Sequence, residues 1–527
     1  MKGRYVRIAT LALLSIPFVS LLNGCGLGIV PGDYQVIPSQ DALTGTYTFL
    51  ATTFIADTTS GHAPGSALIG NITFNGFGGI SGEVDVNTNT TSATTHIAFS
   101  AAGAYTFGAD HRGTLTLVPI SSSGIPLRFA FSAADFVSGV PQNLRLIEFD
   151  ENLTGSTGSG VAKRADASAF LPATMNQTFV FGLQGETPCN TCNGSVYPFG
   201  PLSVVGRFTG SGLAITSGQQ DAAAVNISYN GIGLSGNLTA PDASGRGSLT
   251  LTYTGTLYPA PPAHFLYYLV NSGDLFLMSS DGHASTSLLT GDALAQSGVF
   301  SNASLSGAYI TYSNGGFNGD GITLYPTVST NTAGRIAITS TGYLTVLADL
   351  NNGNGEIAAE DNSNPVPYTI ESSGRMSLGA GLPVFYLANN GYLFGSAQPG
   401  PGAGTNPALL TVEPQSGSAF SCTDLSGSLS LGTLQSPLPT NDSSGYMTFT
   451  NPTANVILDQ VQGSILTSDA ASTLTCSADS LTPSTGRLLF TGTSGTFAAF
   501  AISQGQRYII VDMTPTDTTP TIHILQR

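Results

Sequence analysis

A turn carrying an arginine leads into a short apolar strand four times along the chain, at His111-Arg112-Gly113-Thr114-Leu115, Gly245-Arg246-Gly247-Ser248-Leu249, Gly374-Arg375-Met376-Ser377-Leu378 and Gly486-Arg487-Leu488-Leu489-Phe490. The arginines lie 134, 129 and 112 residues apart. That spacing is too long for a solenoid coil or a propeller blade and long enough for a domain with its own core. An apolar hairpin follows each arginine: Leu127 to Phe131 with Leu144 to Phe149, His264 to Tyr268 with Leu275 to Met278, Val384 to Leu387 with Tyr392 to Phe394, and Phe497 to Ile502 with Tyr508 to Val511. Each unit also opens alike, at Leu43, Met175, Leu305 and Leu425. The predicted repeats are 43–167, 174–298, 303–413 and 420–527.

Within a repeat, Thr or Ser alternates with a large apolar residue, so Tyr47 and Phe49, Leu115 and Leu117, and Phe129 and Phe131 share faces of half-buried strands. Clusters such as Asn75-Gly76-Phe77-Gly78-Gly79 and Thr209-Gly210-Ser211-Gly212 supply the positive φ angles of tight hairpins. The pattern predicts an all-β chain of four tandem antiparallel, up-and-down, barrel-like domains of about eight strands each. The alternatives are sandwich repeats or one large propeller.

At the amino end, Lys2, Arg4 and Arg7 precede an apolar run from Ile8 to Leu22, the layout of an export signal. The run closes on Leu22-Asn23-Gly24-Cys25, which resembles the lipobox of bacterial lipoproteins. The resemblance implies a signal peptide over 1–24, acylation of Cys25 and membrane attachment through those acyl chains, with 25–42 as tether. The repeats would then project from the cell envelope into periplasm or medium, and Gly26 after the cysteine favours the outer membrane over the inner. The repeats also resemble uncharacterised lipoproteins of soil bacteria built from Gly/Ser/Thr-rich tandem units with a Gly-Arg-Gly-Thr-Leu turn. Met376 and Leu488 depart from that turn. The expected topology is similar to that of lipocalins and avidins, although the lipocalin Gly-x-Trp signature is absent, because the chain has no tryptophan.

Charge removes several function classes. The whole chain carries a net −16, and loss of residues 1–24 would remove three basic groups, leaving 12 basic against 31 acidic residues, about −19. No basic patch or phosphate-cradling glycine loop is present, so nucleic acid is not an expected partner. Beyond residue 24 the chain has one lysine, Lys163, which argues against Schiff-base chemistry. The six histidines form no His-Glu-x-x-His pair and no Gly-x-Ser-x-Gly elbow occurs. A triad assembled from distant residues stays open.

With Cys25 acylated, four cysteines remain, and their even number predicts two bridges in an oxidising compartment. Cys422 and Cys476, both in repeat four, form the first expected pair. Cys189 and Cys192 read as a local loop disulfide; the alternatives are a redox pair, which would need a helix start at the first thiolate, and half a zinc site, which would need two further ligands. Asp349 to Glu356 resembles part of a calcium loop, yet the same hairpin forms without carboxylates in repeats one and two, so a plain turn is favoured and no metal is expected. Glu83 with Asp85 and Glu360 with Asp361 raise glycoside hydrolysis. An acidic residue recurs there as Asp221, which reads as a structural position. Arg112, Arg246, Arg375 and Arg487 are expected to cap a barrel end or to pair with an acidic residue after the final hairpin, such as Asp150, Asp281 or Asp512; a ligand-anion contact is the alternative.

The resulting expectation is an envelope-anchored, non-enzymatic binding or structural module with no cofactor and no catalytic residue assigned. Its partner would be an envelope polymer or a small apolar ligand. A lipocalin-like carrier and a polysaccharide-binding or polysaccharide-cleaving protein are the alternatives. An unusually hollow barrel in one repeat favours the carrier, and four equally filled barrels favour the scaffold.

Overall fold

The computed structural model describes residues 43–527 apart from 56–64, 89–93, 101, 121–125, 151–155, 189–198, 225–226, 255–261, 283–285, 318–328, 352–356, 398–406, 419, 436–440, 463–464, 480–484 and 516–520. The expected signal peptide, the tether, Cys25, Cys189, Cys192 and most of the candidate calcium turn lie outside the described residues. No α-helix occurs among the described residues, and every strand ladder is antiparallel. The fold is four eight-stranded meanders rather than sandwiches or a propeller.

Repeats two and four are closed barrels in which strands one to eight follow chain order and strand eight returns to strand one. In repeat two these run from Thr178–Pro188 to Leu288–Gln296, and in repeat four from Gly427–Thr433 to Ile522–Gln526. Repeats one and three have the same order, but their fourth strand is broken. In repeat three Thr369–Ile370 follows Ile357–Pro367 after Tyr368 alone, so the two halves sit on opposite edges of an opened sheet. In repeat one the break lies between Thr95–Phe99 and Ala104–Tyr105. It is bridged where Ser100 N donates to Val118 O at 2.8 Å and Ile120 N to Ala98 O at 3.0 Å.

Alternation places one face of each strand inside its barrel. In repeat one the core includes Tyr47, Phe49, Phe74, Leu115, Phe131 and Leu146. Phe74 meets Tyr47 and Tyr105 edge-on, with ring centroids 5.4 and 5.0 Å apart. The buried Tyr47 hydroxyl donates to Pro141 O at 2.5 Å, satisfying the polar atom that burial would otherwise orphan. Comparable interior clusters fill the other three repeats.

The arginine turn has one geometry throughout. The residue before the arginine has positive φ in every repeat: His111 at 63°, Gly245 at 81°, Gly374 at 85° and Gly486 at 85°. Its carbonyl accepts a bond from the sixth strand, at Ala133, Leu269, Leu387 and Ala501, over 2.9 to 3.0 Å. The residue after the arginine is set by what crosses it. A Cβ at Gly113 or Gly247 would run into the Phe131 or Tyr267 ring of the neighbouring strand. Opposite Leu488 stands only Ala499, and opposite Met376 the Phe385 ring lies against Gly395 instead. Met376 and Leu488 are thus compensated across the sheet.

Candidate functional site

The four repeated arginines begin the fifth strand of their repeats, at one barrel end, and each points out of its own barrel into another. Arg246 of repeat two grips Asp85 of repeat one through Nε at 2.6 Å and Nη2 at 3.0 Å. Arg375 of repeat three grips Asp221 of repeat two at 2.8 and 2.7 Å. Arg487 of repeat four meets Asp349 of repeat three at 2.6 Å, and Asp479 of its own repeat at 3.2 Å. Arg112 of repeat one meets Asp459 of repeat four at 3.2 Å, with Asp469 and Asp110 also on its guanidinium. The series therefore closes: repeats one, two, three and four form a ring. The expected partners after the final hairpin are corrected accordingly, because each arginine meets a buried third-strand aspartate of a neighbouring repeat. Asp281 instead faces His264, Nδ1 to Oδ1 at 2.6 Å.

All four aspartates stand on the third strand of their repeat, within Ile80–Thr88, Ala214–Ala224, Tyr343–Asn351 and Thr453–Gln462, and none is more than 1 % exposed. A buried carboxylate requires a charge partner and further donors. In the first two seams the extra donor is a tyrosine paired with the arginine across the sheet: Tyr268 OH reaches Asp85 at 2.7 Å, and Tyr386 OH reaches Asp221 at 2.6 Å. Burial beside these carboxylates pushes both phenols far above their usual range. Phe500 and Ser132 hold that position in the other two seams. Burial raises the Asp349 carboxyl above its ordinary value despite Arg487.

Further staples escaped the sequence reading. Gln296, ending repeat two, donates to Ser373 O at 3.0 Å and Leu387 O at 2.6 Å in repeat three. Gln415, after repeat three, does the same to Thr485 O and Ala501 O at 3.0 and 2.7 Å. Phe170, Phe300 and Phe420, each just ahead of the first strand of repeats two, three and four, press on the pre-arginine glycine of that repeat. A glutamine and a phenylalanine recurring at the linkers was the available signal.

Lys163, on the last strand of repeat one, lies 2.9 Å from both Asp274 and Asp292 of repeat two. Burial opposes its charge, but the two carboxylates outweigh that and hold the ammonium above its usual range. A lysine held protonated is a poor nucleophile. Arg507 of repeat four likewise pairs with Glu413 of repeat three at 2.8 Å, and Tyr312 OH donates to the same carboxylate at 2.6 Å.

Glu83 and Asp85 do not form a catalytic pair. Asp85 is committed to Arg246 and Tyr268, while Glu83 accepts from Ser244 Oγ at 2.5 Å. Glu360 and Asp361 lie on the broken fourth strand of repeat three, and their side chains fall outside the described residues; the repeat-three counterpart of Asp85 is Asp349. Asp349 is therefore an ion-pair residue, and Asn351 Nδ2 donates to Asp512 O at 2.8 Å. Cys422 and Cys476 form a disulfide, closing one end of barrel four.

The barrel interiors differ. Barrel two holds a void of ≈ 20 Å³, room for a single water. Barrel four holds a cavity of ≈ 270 Å³. Strand registers pair their interior positions, and barrel four carries the smaller residue at many: Leu431 for Phe181, Ser443 for Val204, Gly492 for Leu251, Ser494 for Tyr253 and Thr521 for Leu289. Interiors otherwise pack to crystal density, so unreplaced side-chain volume remains as a hole.

No protein-family model matches the chain, and a search of curated proteins finds no relative. Among solved structures, an AttH-type protein of Nitrosomonas europaea aligns at 8 % identity over 73 % of this chain and 98 % of its own, with a TM-score of 0.16. A mutant of the vaccine antigen transferrin-binding protein B from Haemophilus parasuis aligns at 7 % identity over 94 % of this chain and 98 % of its own, with a TM-score of 0.18.

Proposed function

We propose that this chain is an envelope-anchored, non-enzymatic structural and binding module, a ring of four barrel-like β-domains tethered to a bacterial membrane through acyl chains on Cys25. The observation that carries this reading is the closed series of arginine–aspartate pairs. The recurrent polar residues hold barrel to barrel, and Asp85, Asp221, Asp349 and Asp459 are buried in seams rather than presented to a substrate. A body built this way keeps a fixed shape and offers its outer faces to an envelope polymer. Several acyl chains, each at about 0.8 kcal/mol per buried methylene, would make the attachment durable. The outer membrane is the favoured site, on the glycine that follows Cys25.

Metabolic labelling with an alkyne fatty acid in a bacterial host tests the anchor. The expected result is a label on the chain in the membrane fraction, with Cys25→Ser abolishing the label and releasing folded protein. A Cys25→Ser chain that keeps the label, or a wild-type chain that takes none and is recovered soluble, would overturn the anchored reading.

A further inference from the structure

Barrel four is built as a cup. Its inner wall is apolar, with Leu431, Met447, Val456, Phe490 and Ile510 around the ≈ 270 Å³ cavity. At one end the Cys422–Cys476 disulfide and Phe420 pack into the core. Cys476 lies near the end of the fourth strand, Ile465–Ala478, and Phe420 covers the turn at Gly486. The polar wall residues gather at the opposite end, where strands one, three, five and seven finish. There Ser443, Gln460, Asp512, Thr521 and His523 border the cavity. His523 Nε2 and Ser443 Oγ lie 2.8 Å apart. Asp512 Oδ1 accepts from Thr514 N at 2.7 Å, which aims the carboxylate at the rim.

The other closed barrel lacks this polarity. By register, barrel two has Val204 where Ser443 stands, Ser279 for Asp512 and Gly291 for His523. One barrel is therefore both hollowed and given a charged rim, whereas its closed counterpart is filled.

The rim determines which molecules are suited. Among the described residues, Asp442 and Asp512 border the cavity, and neither lysine nor arginine does. A carboxylate or phosphate head would meet like charge in a poorly hydrated site, and the net charge of the chain repels it further. An ammonium would gain a charge-assisted hydrogen bond. We infer that barrel four binds a small apolar amine, its hydrocarbon body within the cup and its ammonium at the rim beside Asp512. This goes beyond the scaffold reading and does not depend on the anchor.

The test uses residues 25–527 with Cys25→Ser, which contains every described residue, and measures calorimetric binding of decylamine, decanol and decanoate. Decylamine is expected to bind one per chain, decanol more weakly, and decanoate not measurably. Asp512→Asn should weaken decylamine roughly tenfold or more and leave decanol unchanged. Met447→Phe, which installs the residue that Phe208 supplies in barrel two, should abolish binding of both, with an unchanged circular-dichroism spectrum showing that the barrel is intact. Decanoate binding as tightly as decylamine, no effect of Asp512→Asn on decylamine, binding that survives Met447→Phe, or no binding by any probe would each overturn the proposal.

Discussion

The seam between repeats three and four and the seam between repeats four and one are built from the same strand positions with opposite chemistry. In the first, Ile310, Tyr312 and Ala333 of repeat three pack against Phe500, Ile502 and Ile509 of repeat four in a buried apolar cluster. At matching register the second has Ser430, Gly432 and Ser444 of repeat four against Ser132, Ala134 and Arg145 of repeat one. It is held by hydrogen bonds: Ser430 Oγ to Ser132 Oγ at 2.8 Å, Ser132 Oγ to Leu431 O at 3.0 Å and Ser444 Oγ to Arg145 O at 3.1 Å. The seams joining repeats one to two and two to three are apolar like the first. The three apolar seams join consecutive repeats, so each forms beside its covalent link. The polar seam joins the two ends, and its faces must stand in water until all four barrels exist. Apolar faces waiting that long invite association with other chains, whereas serine and arginine faces stay hydrated.

The largest expected effect is at a consecutive seam. Asp221→Ala leaves the buried Tyr386 hydroxyl without its acceptor and the half-buried Arg375 guanidinium with the exposed Glu371 as its remaining carboxylate. Breaking a buried pair from one side costs roughly 3–5 kcal/mol. Equilibrium unfolding in guanidinium should show that loss in a cooperative transition; a loss under about 1 kcal/mol would mean the apolar cluster alone holds this seam.

Arg112→Ala is the counterpart at the closing seam, with a somewhat smaller expected loss of about 3 kcal/mol. It removes the guanidinium from the buried Asp459. Because the faces it uncovers are polar, the ring should open without unfolding the barrels. Hydrogen exchange should rise in Leu127–Val137 and Gly427–Thr433, while Val384–Leu387 at the second seam stays protected. A uniform rise through all four repeats would show that ring and barrels are one cooperative unit.

Gly432→Ala probes the same seam sterically. An added Cβ would collide with the Arg145 side chain, whereas the corresponding residue of repeat three is Tyr312 and is accommodated. The expected cost is about 1–3 kcal/mol, confined to the closing seam and read by the same exchange experiment.

The repeat, the all-β meander and the Cys422–Cys476 pair were legible because each is written in recurrence, alternation or counting. What the arginines bind was not. Recurrence shows that Arg112, Arg246, Arg375 and Arg487 are equivalent, yet it does not say which barrel each faces. An expectation confined to one repeat therefore points to a barrel-end cap or to an acidic residue of the same repeat, such as Asp150, Asp281 or Asp512. The true partners carry a signal of their own, one aspartate on every third strand. That signal is plain at Asp85 and Asp221 but masked at Asp349 by the Asn- and Gly-rich turn that follows it, and Asp459 has no local marker. The hollow of barrel four was written in pairs such as Ser494 and Tyr253. Reading it required the strand registers, since a small residue makes a cavity only if no neighbour fills the space.

The smallest expected effect concerns acidity at the closing seam. Burial raises the Asp135 carboxyl above its ordinary value, against a hydrogen bond from Asn143 and the fields of Arg507 and Arg145. Gln526, from the end of repeat four, donates to the same carboxylate. A carboxyl with a raised folded-state pKa binds its proton more tightly in the ring than in the unfolded chain. Its contribution is therefore fully present below the unfolded value, near pH 4, and is lost as pH rises through the raised value. Asp135→Asn removes this titration while retaining a similar shape. The unfolding free energy of the wild type relative to Asp135→Asn should fall between pH 4 and pH 7.5, by on the order of 1 kcal/mol or less once partial exposure is allowed for. A wild type that gains on the variant as pH rises would mean that Arg145 and Arg507 outweigh burial at Asp135. The closing seam would then be a net ion pair, like the Arg246–Asp85 seam, rather than a hydrated latch that neutral pH loosens.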